Sequence, residues 1–327
     1  MERLGAHGEA SLAFAVQIPS PQSALEPAGR DAERIASLFP ILFGGGAAIW
    51  LVVMGLTVYA VVLRDRRHQR DRTRRWVVGG GAFATTALLG LLLVRGLSAM
   101  PELLDPGAPG GPKIRVSGEQ WWWRVRYELP DGASFELANE LWLPRGRRMP
   151  LLLESPDVIH SFWLPSLGGK IDVIPGRVNR LGLEPTRTGT FTGVCAEYCG
   201  LSHARMLFHV VVVEPPAFEA WLAAQRADAR APAAVLAQRG HLLFQQHGCG
   251  ACHAVRGTAA RGAVGPDLTH VGGRVSVAAG TVANDVAGFE EWLARTEALK
   301  PGVHMPSFHM LSSEERNALA TWLDGLQ

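Results

Sequence analysis

The chain has 327 residues and only four cysteines, too few for a disulfide scaffold. None of them lies early, so a bacterial lipid anchor on an N-terminal cysteine is not expected. The formal net charge is only +2, which gives no electrostatic reason to expect nucleic acid as a partner. The start lacks a basic region. Glu2 and Glu9 stand where a leader peptide carries positive charge, and the apolar run Ser11 to Ile18 is short. Residues 1–37 therefore read as an N-terminal segment with a poor leader pattern. No internal repeat is apparent.

Long uncharged runs, by contrast, are present. Leu38 to Leu63 gives 26 residues without a charge and Trp76 to Val94 gives 19. About 20 apolar residues in a helix cross the hydrocarbon core, so a two-helix hairpin over 38–100 is expected in a membrane. Glycines 44 to 46 and 79 to 81 suit close helix packing, and Arg95 can reach the interface. The connection RDRRHQRDRTRR carries seven arginines against two aspartates. By the positive-inside rule it stays cytoplasmic, which puts both termini and everything after about Ala99 on the outer side.

Residues 101–112 are rich in proline and glycine and read as a linker. Strands are expected over Ile114–Val116, Trp121–Leu129, Ser134–Leu137, Met149–Glu154, Val178–Leu183, Thr190–Val194 and Leu207–Val213. Short strands at this density indicate a β-sandwich or small Greek-key barrel over 111–216. Phe218, Trp221 and Leu222 share a face of a short helix that packs back on it. Residues 217–234 hold that helix and a linker. From 235 to 327 the pattern turns helical: one helix before HGCGACH, one near Gly288–Ala298, and one from about Ser313 with a capping box of Ser312 and Glu315.

The four cysteines form two close pairs, each with histidine nearby, which favours cofactor ligation over cross-linking. Cys249-Gly250-Ala251-Cys252-His253 is C-x-x-C-H, the attachment signature of c-type haem, with His253 placed as axial ligand. A plain CxxC redox pair is the alternative. For the sixth ligand Met305 is favoured over Met310, His304 and His309, and methionine raises the potential. Gly265 to Leu268, GPDL, resembles the cytochrome c loop that packs on the proximal histidine.

The other pair lies in CAEYCGLSHARM, Cys195 to Met206. Thiolate and thioether beside imidazole favour copper, zinc or iron. Tetrahedral zinc fits the residue types. The placement between two late strands of an extracytoplasmic β-domain points instead to copper. A mononuclear blue site needs one cysteine; two in one loop can bridge two copper ions. Cupredoxin-like copper sites combine late-loop Cys, His and Met with one distant histidine, and the candidate for it is His160, in SPDVIHSFW, just after the Leu151 to Glu154 strand.

Together with SPDVIHSFWLP and KIDVIPGRVN, this loop resembles subunit II of the haem-copper cytochrome c oxidases, over about residues 20–215. The C-terminal part is similar to the fused cytochrome c of some bacterial members. The resemblance implies a two-span membrane anchor, an all-β cupredoxin-like Greek-key barrel and an all-α cytochrome c domain. It implies a binuclear CuA centre bridged by Cys195 and Cys199. His160 and His203 would be terminal ligands, with Met206 weakly bound to one copper and the Glu197 carbonyl to the other. The Glu197 side chain would reach magnesium at subunit I, as suits a hard ion. Trp121 would be the electron-input residue over CuA, with packing as the alternative role for Trp121, Trp122 and Trp123. Asp157, Asp172, Arg177 and Asn179 match family positions that orient ligands or meet subunit I. Val194 departs from the glutamine common there.

The function so implied is electron input: external donor, such as a c-type cytochrome, to haem c, to CuA, to a haem in subunit I. Partners would be subunits I and III, in the inner membrane of a bacterium. No histidine lies in either apolar run, so the chain alone is not expected to reduce oxygen. Rival readings are the same module in a nitric oxide reductase, a stand-alone periplasmic electron carrier, and a zinc-binding structural protein.

Overall fold

The computed structural model describes residues 22–63, 74–103, 105, 107 and 111–327. Residues 1–21 and the arginine-rich stretch 64–73 lie outside the described residues, and with them the leader and positive-inside expectations.

Among the described residues, two helical stretches are long and apolar enough to cross a membrane, Arg30–Val62 and Arg74–Ser98, which include α1 (Arg30–Val58) and most of α2 (Ala84–Leu103). Each continues into π-helical turns toward the connection, Tyr59–Leu63 and Val77–Phe83. Their apolar flanks are exposed throughout, as a lipid- or partner-facing surface requires. α1 begins eight residues before the uncharged run, because Asp31 and Glu33 occupy its first turn, where the helix dipole favours acids.

That early start anchors the hairpin. Ala28 is fully buried; its N–H donates to Ser166 O at 2.7 Å, and Thr186 N donates to its carbonyl at 2.7 Å. Gly29 runs so close to Leu167 that a Cβ there would lie 2.4 Å from Leu167 O. Asp31 is 3% exposed and held by the Arg148 guanidinium at 3.1 and 2.9 Å. The Nε of Arg148 donates to Asp105 O at 2.6 Å, just beyond α2. One arginine therefore ties both ends of the hairpin to the β-domain and sets where that domain stands over the helices.

The β-domain is two facing five-stranded sheets. One runs β3-β2-β1-β5-β8, built from Ser134–Ala138, Trp122–Glu128, Lys113–Glu119, Met149–Glu154 and Asn179–Leu183. The other runs β4-β10-β9-β6-β7, built from Glu140–Pro144, Leu207–Val213, Gly189–Cys195, His160–Trp163 and Ile171–Val173. Strands β4, β6 and β7 go beyond the sequence expectation; they are three to five residues long, too short for alternation to declare itself. Alternating inward residues build the core, where the Trp123 ring meets Phe162 and Phe208 edge-on, each at 5.5 Å. Of the three tryptophans, Trp123 is core, Trp122 lies under Arg124 at 4.6 Å, and Trp121 precedes the strand.

His209 on β10 faces Thr192 on β9, with Nδ1 3.3 Å from Thr192 Oγ1. Burial pushes its pKa down to about 4. The folded chain then holds it neutral, while an unfolded chain protonates it below about 6.5. Stability is fully present above 6.5 and is lost as pH falls toward 4, by about 3 kcal/mol from this residue. His209→Gln should flatten the denaturation midpoint between pH 7 and 4.5 relative to the unaltered protein. Equal slopes would remove His209 as the cause.

α3 (Pro215–Gln225) packs Phe218 and Leu222 back on the β-domain, with Trp221 stacked on Trp142 at 4.9 Å. The helical domain follows: α4 (Val235–Gln246), α5 (Val286–Leu299) and α6 (Ser313–Asp324). The expected capping box is present: Ser312 N donates to Glu315 Oε2 at 2.9 Å and Glu315 N to Ser312 Oγ at 3.2 Å. α4 crosses α6 at Gly240, where a Cβ would lie 2.1 Å from Ala318 O. A small hairpin, β11 (Ser276–Val277) and β12 (Val282–Ala283), faces the β-domain.

Candidate metal centre and haem pocket

Strand order explains how residues 35 apart in sequence meet. β10, β9 and β6 are neighbours, and their ends at one edge carry the site. His160 opens β6, Cys195 closes β9, and Met206 immediately precedes β10. Cys195 pairs with Phe162, Cys195 N donates to Met206 O at 3.1 Å, and Ala196 N to Ser161 O at 2.9 Å. The loop between β9 and β10 returns Cys199 and His203 over this edge, His203 on a short 3-10 turn.

The two sulfurs lie 3.8 Å apart. Around Cys195 Sγ stand His160 Nδ1 at 3.9 Å and the Glu197 carbonyl oxygen at 3.2 Å. Around Cys199 Sγ stand His203 Nδ1 at 3.6 Å and Met206 Sδ at 3.8 Å. His160, Cys195, Cys199 and Met206 are buried, and His203 is half-buried. The six donors thus divide into two sets about a shared sulfur pair. Tetrahedral zinc gathers four ligands about one point; this arrangement fits two soft ions bridged by two thiolates.

The cysteine pair shares a proton. The Cys199 thiol, against the cost of burial and with help from His160, lowers Cys195 to about 3, while Cys199 is driven up in return. His160 is fixed from behind: its Nε2 lies 2.8 Å from Asp157 Oδ1, and Asp157 also accepts from Gln120 N at 2.7 Å and Val158 N at 2.6 Å. Burial alone would raise the Asp157 carboxyl and lower the imidazole, but Cys195 and then Asp157 raise His160, while His160 and the Val158 and Gln120 N–H groups lower Asp157. Gly118 leaves room for the ring; a Cβ there would meet His160 Cδ2 at 2.9 Å.

Trp121 donates its indole N–H to Cys199 O at 2.9 Å and is 6% exposed. Glu197 and Arg177 have exposed side chains, and Glu197 sits beside exposed Tyr198. Asp172 lies next to Lys170 at 3.3 Å, and its carbonyl accepts from Asn179 at 2.6 Å. These two order the β7–β8 connection and make no contact with the sulfur pair among the described bonds.

In the helical domain Cys249 is half-buried and Cys252 exposed. His253 Nδ1 lies 2.8 Å from Pro266 O, so that nitrogen carries the proton and Nε2 is free to bind iron. Burial lowers its pKa, which favours the neutral, ligating form. Gly265 leaves no room beside the ring: a Cβ there would lie 2.5 Å from His253 Cε1. Met305 packs on the helical core, and its carbonyl accepts from Thr296 Oγ1 at 3.1 Å. Met310 is 67% exposed, and His304 and His309 are exposed. Of the four candidates for the sixth position, Met305 is the one held in the core.

Sequence patterns alone do not point to Glu140 or Lys300 as residues buried between the two domains. Glu140 accepts from Trp142 Nε1 at 2.7 Å and from Val275 N, across the domain boundary, at 2.6 Å. Lys300 is 2% exposed and donates to Ala278 O at 3.2 Å; burial pulls its pKa down to about 7. A charged residue inside an apolar pattern is the one signal the sequence offers for either.

Residues 128–214 match the family described as cytochrome c oxidase subunit II, periplasmic domain, and residues 237–327 match cytochrome c. Cytochrome c oxidase subunit 2 of Alkalihalophilus pseudofirmus is 32% identical over 316 residues, covering 93% of this chain and 91% of the relative. The Bacillus subtilis protein of that name is 35% identical over 226 residues, covering 65% and 62%. Among solved structures, the periplasmic domain of subunit II of cytochrome oxidase from Bradyrhizobium japonicum is 32% identical. It covers 38% of this chain and 97% of that one, with a TM-score of 0.34. A likeness that extends over both membrane-length helices and both redox modules places the chain in the cytochrome c oxidase subunit 2 family, as an oxidoreductase subunit with a cytochrome c domain of its own.

Proposed function

We propose that this chain is the electron-input subunit of a respiratory oxidase, passing electrons from an external donor through haem c and CuA to a haem in subunit I. The observation that carries this reading is the division of six donors into two sets about a sulfur pair 3.8 Å apart. When bound, the two groups supply one-electron carriage, which no side chain here provides.

The chain's own residues hold, orient and shield. Cys195, Cys199, His160, His203, Met206 and the Glu197 carbonyl would hold the two coppers. Asp157 keeps the His160 ring in place, as carboxylates behind ligating histidines do. Trp121 binds the Cys199 carbonyl and closes the loop on the side of the helical domain. Cys249 and Cys252 would attach the haem, and His253 and Met305 would hold its iron. The exposed Glu197 carboxylate faces outward for magnesium at the contact with subunit I. Exposed Val158, Ile159, Val178 and Tyr198 give that contact an apolar surround. The helices stand in the inner membrane, their arginine-rich connection cytoplasmic and the redox domains periplasmic.

Metal analysis and EPR of the purified full chain test this. Two coppers, one acid-stable haem and a mixed-valence copper signal are expected, with no oxygen uptake by the isolated chain. A single zinc, or oxygen turnover without a partner subunit, would overturn it.

A further inference from the structure

The helical domain meets the copper loop through two short segments. One runs from Leu299 to Met305. Arg205 donates to Leu299 O, and Ser202 Oγ donates to Pro301 O at 2.7 Å. Gly302, at φ +78°, lies flat on the Trp121 ring; a Cβ there would stand 2.8 Å from Trp121 Cη2 and 3.1 Å from Leu201 Cδ1. Gly302 N is held by Glu297 Oε1 at 3.0 Å, and the far end of the segment by Thr296 on the Met305 carbonyl. The other segment is the β11–β12 turn. Ala278, Ala279 and Gly280 have φ of 54°, 60° and 80°. Ala279 O accepts from Leu207 N at 3.2 Å, next to Met206. Lys300 joins the two segments through its bond to Ala278 O.

We propose that residues 299–305 are a docking strap that holds the helical domain in one fixed pose on the copper loop, with Gly302 and Lys300 as its positioning residues. In the four residues from Gly302 to Met305 the strap runs from Trp121, bonded to Cys199 O, to the helical core on which Met305 packs. No residue with a side chain can lie flat on the indole at position 302, and the left-handed φ adds strain to any replacement. Lys300 spends its buried ammonium on the turn that seats against Leu207, so loosening one segment loosens the other. The strap also covers Trp121. An external donor then cannot stack on that ring and must deliver its electron to the helical domain. One electron crosses between the two sites with no bond made or broken, at a rate set by this pose rather than by a domain search.

The strap's role rests on the proposed relay, and amide exchange separates the two. The Leu207 N–H crosses the domain boundary, so its exchange reports docking whether or not metal is present. Full-length Gly302→Val and Lys300→Met should each raise Leu207 exchange at least about tenfold. Haem absorbance and copper content should be retained, and electron transfer between the two sites should slow by about tenfold or more. Gly273→Ala, where a Cβ meets open space, should change none of these. Unchanged Leu207 protection in both variants overturns the strap. Lost protection with an unchanged transfer rate overturns its coupling role. Absence of any transfer in the unaltered protein overturns the relay, and Leu207 exchange alone then decides whether the strap holds the domains together.

Discussion

Replacing Cys199 by serine is expected to abolish two-copper binding. Cys199 Sγ is the atom to which Cys195 Sγ, His203 Nδ1 and Met206 Sδ all stand close, at 3.8, 3.6 and 3.8 Å. A serine oxygen in that place is hard and stays protonated at neutral pH, so it cannot bridge two soft ions. Cys195, His160 and the Glu197 carbonyl remain as an incomplete set for one ion. Copper per chain should fall from two to one or none, and the mixed-valence EPR signal should vanish. The β-domain should survive, because serine nearly matches cysteine in volume, so the core that Cys199 shares with Trp123, Tyr127, Phe162 and Phe208 keeps its packing. Two coppers retained in Cys199→Ser would refute the bridging role.

Met305→Leu should have the second largest effect. Leucine fills nearly the same volume, so the helical core keeps its packing. What is removed is the thioether, whose ligation raises a haem potential. The midpoint potential of the full chain should drop by on the order of 0.1 V, within the span that axial ligands command. The low-spin spectrum should weaken with it. Met310→Leu is the matched control: its side chain is 67% exposed, and neither quantity should move. A shift in the Met310 variant alone would reassign the ligand.

How far these sites are legible in sequence differs between them. The haem site is local: Cys249, Cys252 and His253 lie within five residues, and their spacing carries its own chemistry. The Thr296 bond to the Met305 carbonyl, which separates Met305 from Met310, exists only in the folded loop. Four of the copper-site side chains sit in one twelve-residue loop and can be read together, but His160 stands 35 residues before Cys195, a candidate that only the fold brings to them. By sequence it falls in a loop after a strand; in the fold it opens β6 and pairs with Val173. Asp157 behind it is one polar loop residue among several until the fold sets it 2.8 Å from the ring. Strands with a long apolar, β-branched run, such as Leu207–Val213, are readable, whereas β4, with Glu140 and Pro144 in five residues, is not.

The sequence by itself determined the parts: two uncharged runs of membrane length, an alternating β region, a helical tail, a haem attachment motif and a soft-metal loop. Each is written in residues a few positions apart, where covalent spacing sets geometry. Tertiary structure decided how the parts face one another. The strand order β10-β9-β6 brings His160 to Cys195, Arg148 ties both ends of the hairpin to the β-domain, and Gly302 lies on Trp121. These pairings join residues from 35 to 181 positions apart, and burial and hydrogen bonding between surfaces select them, which no local pattern encodes.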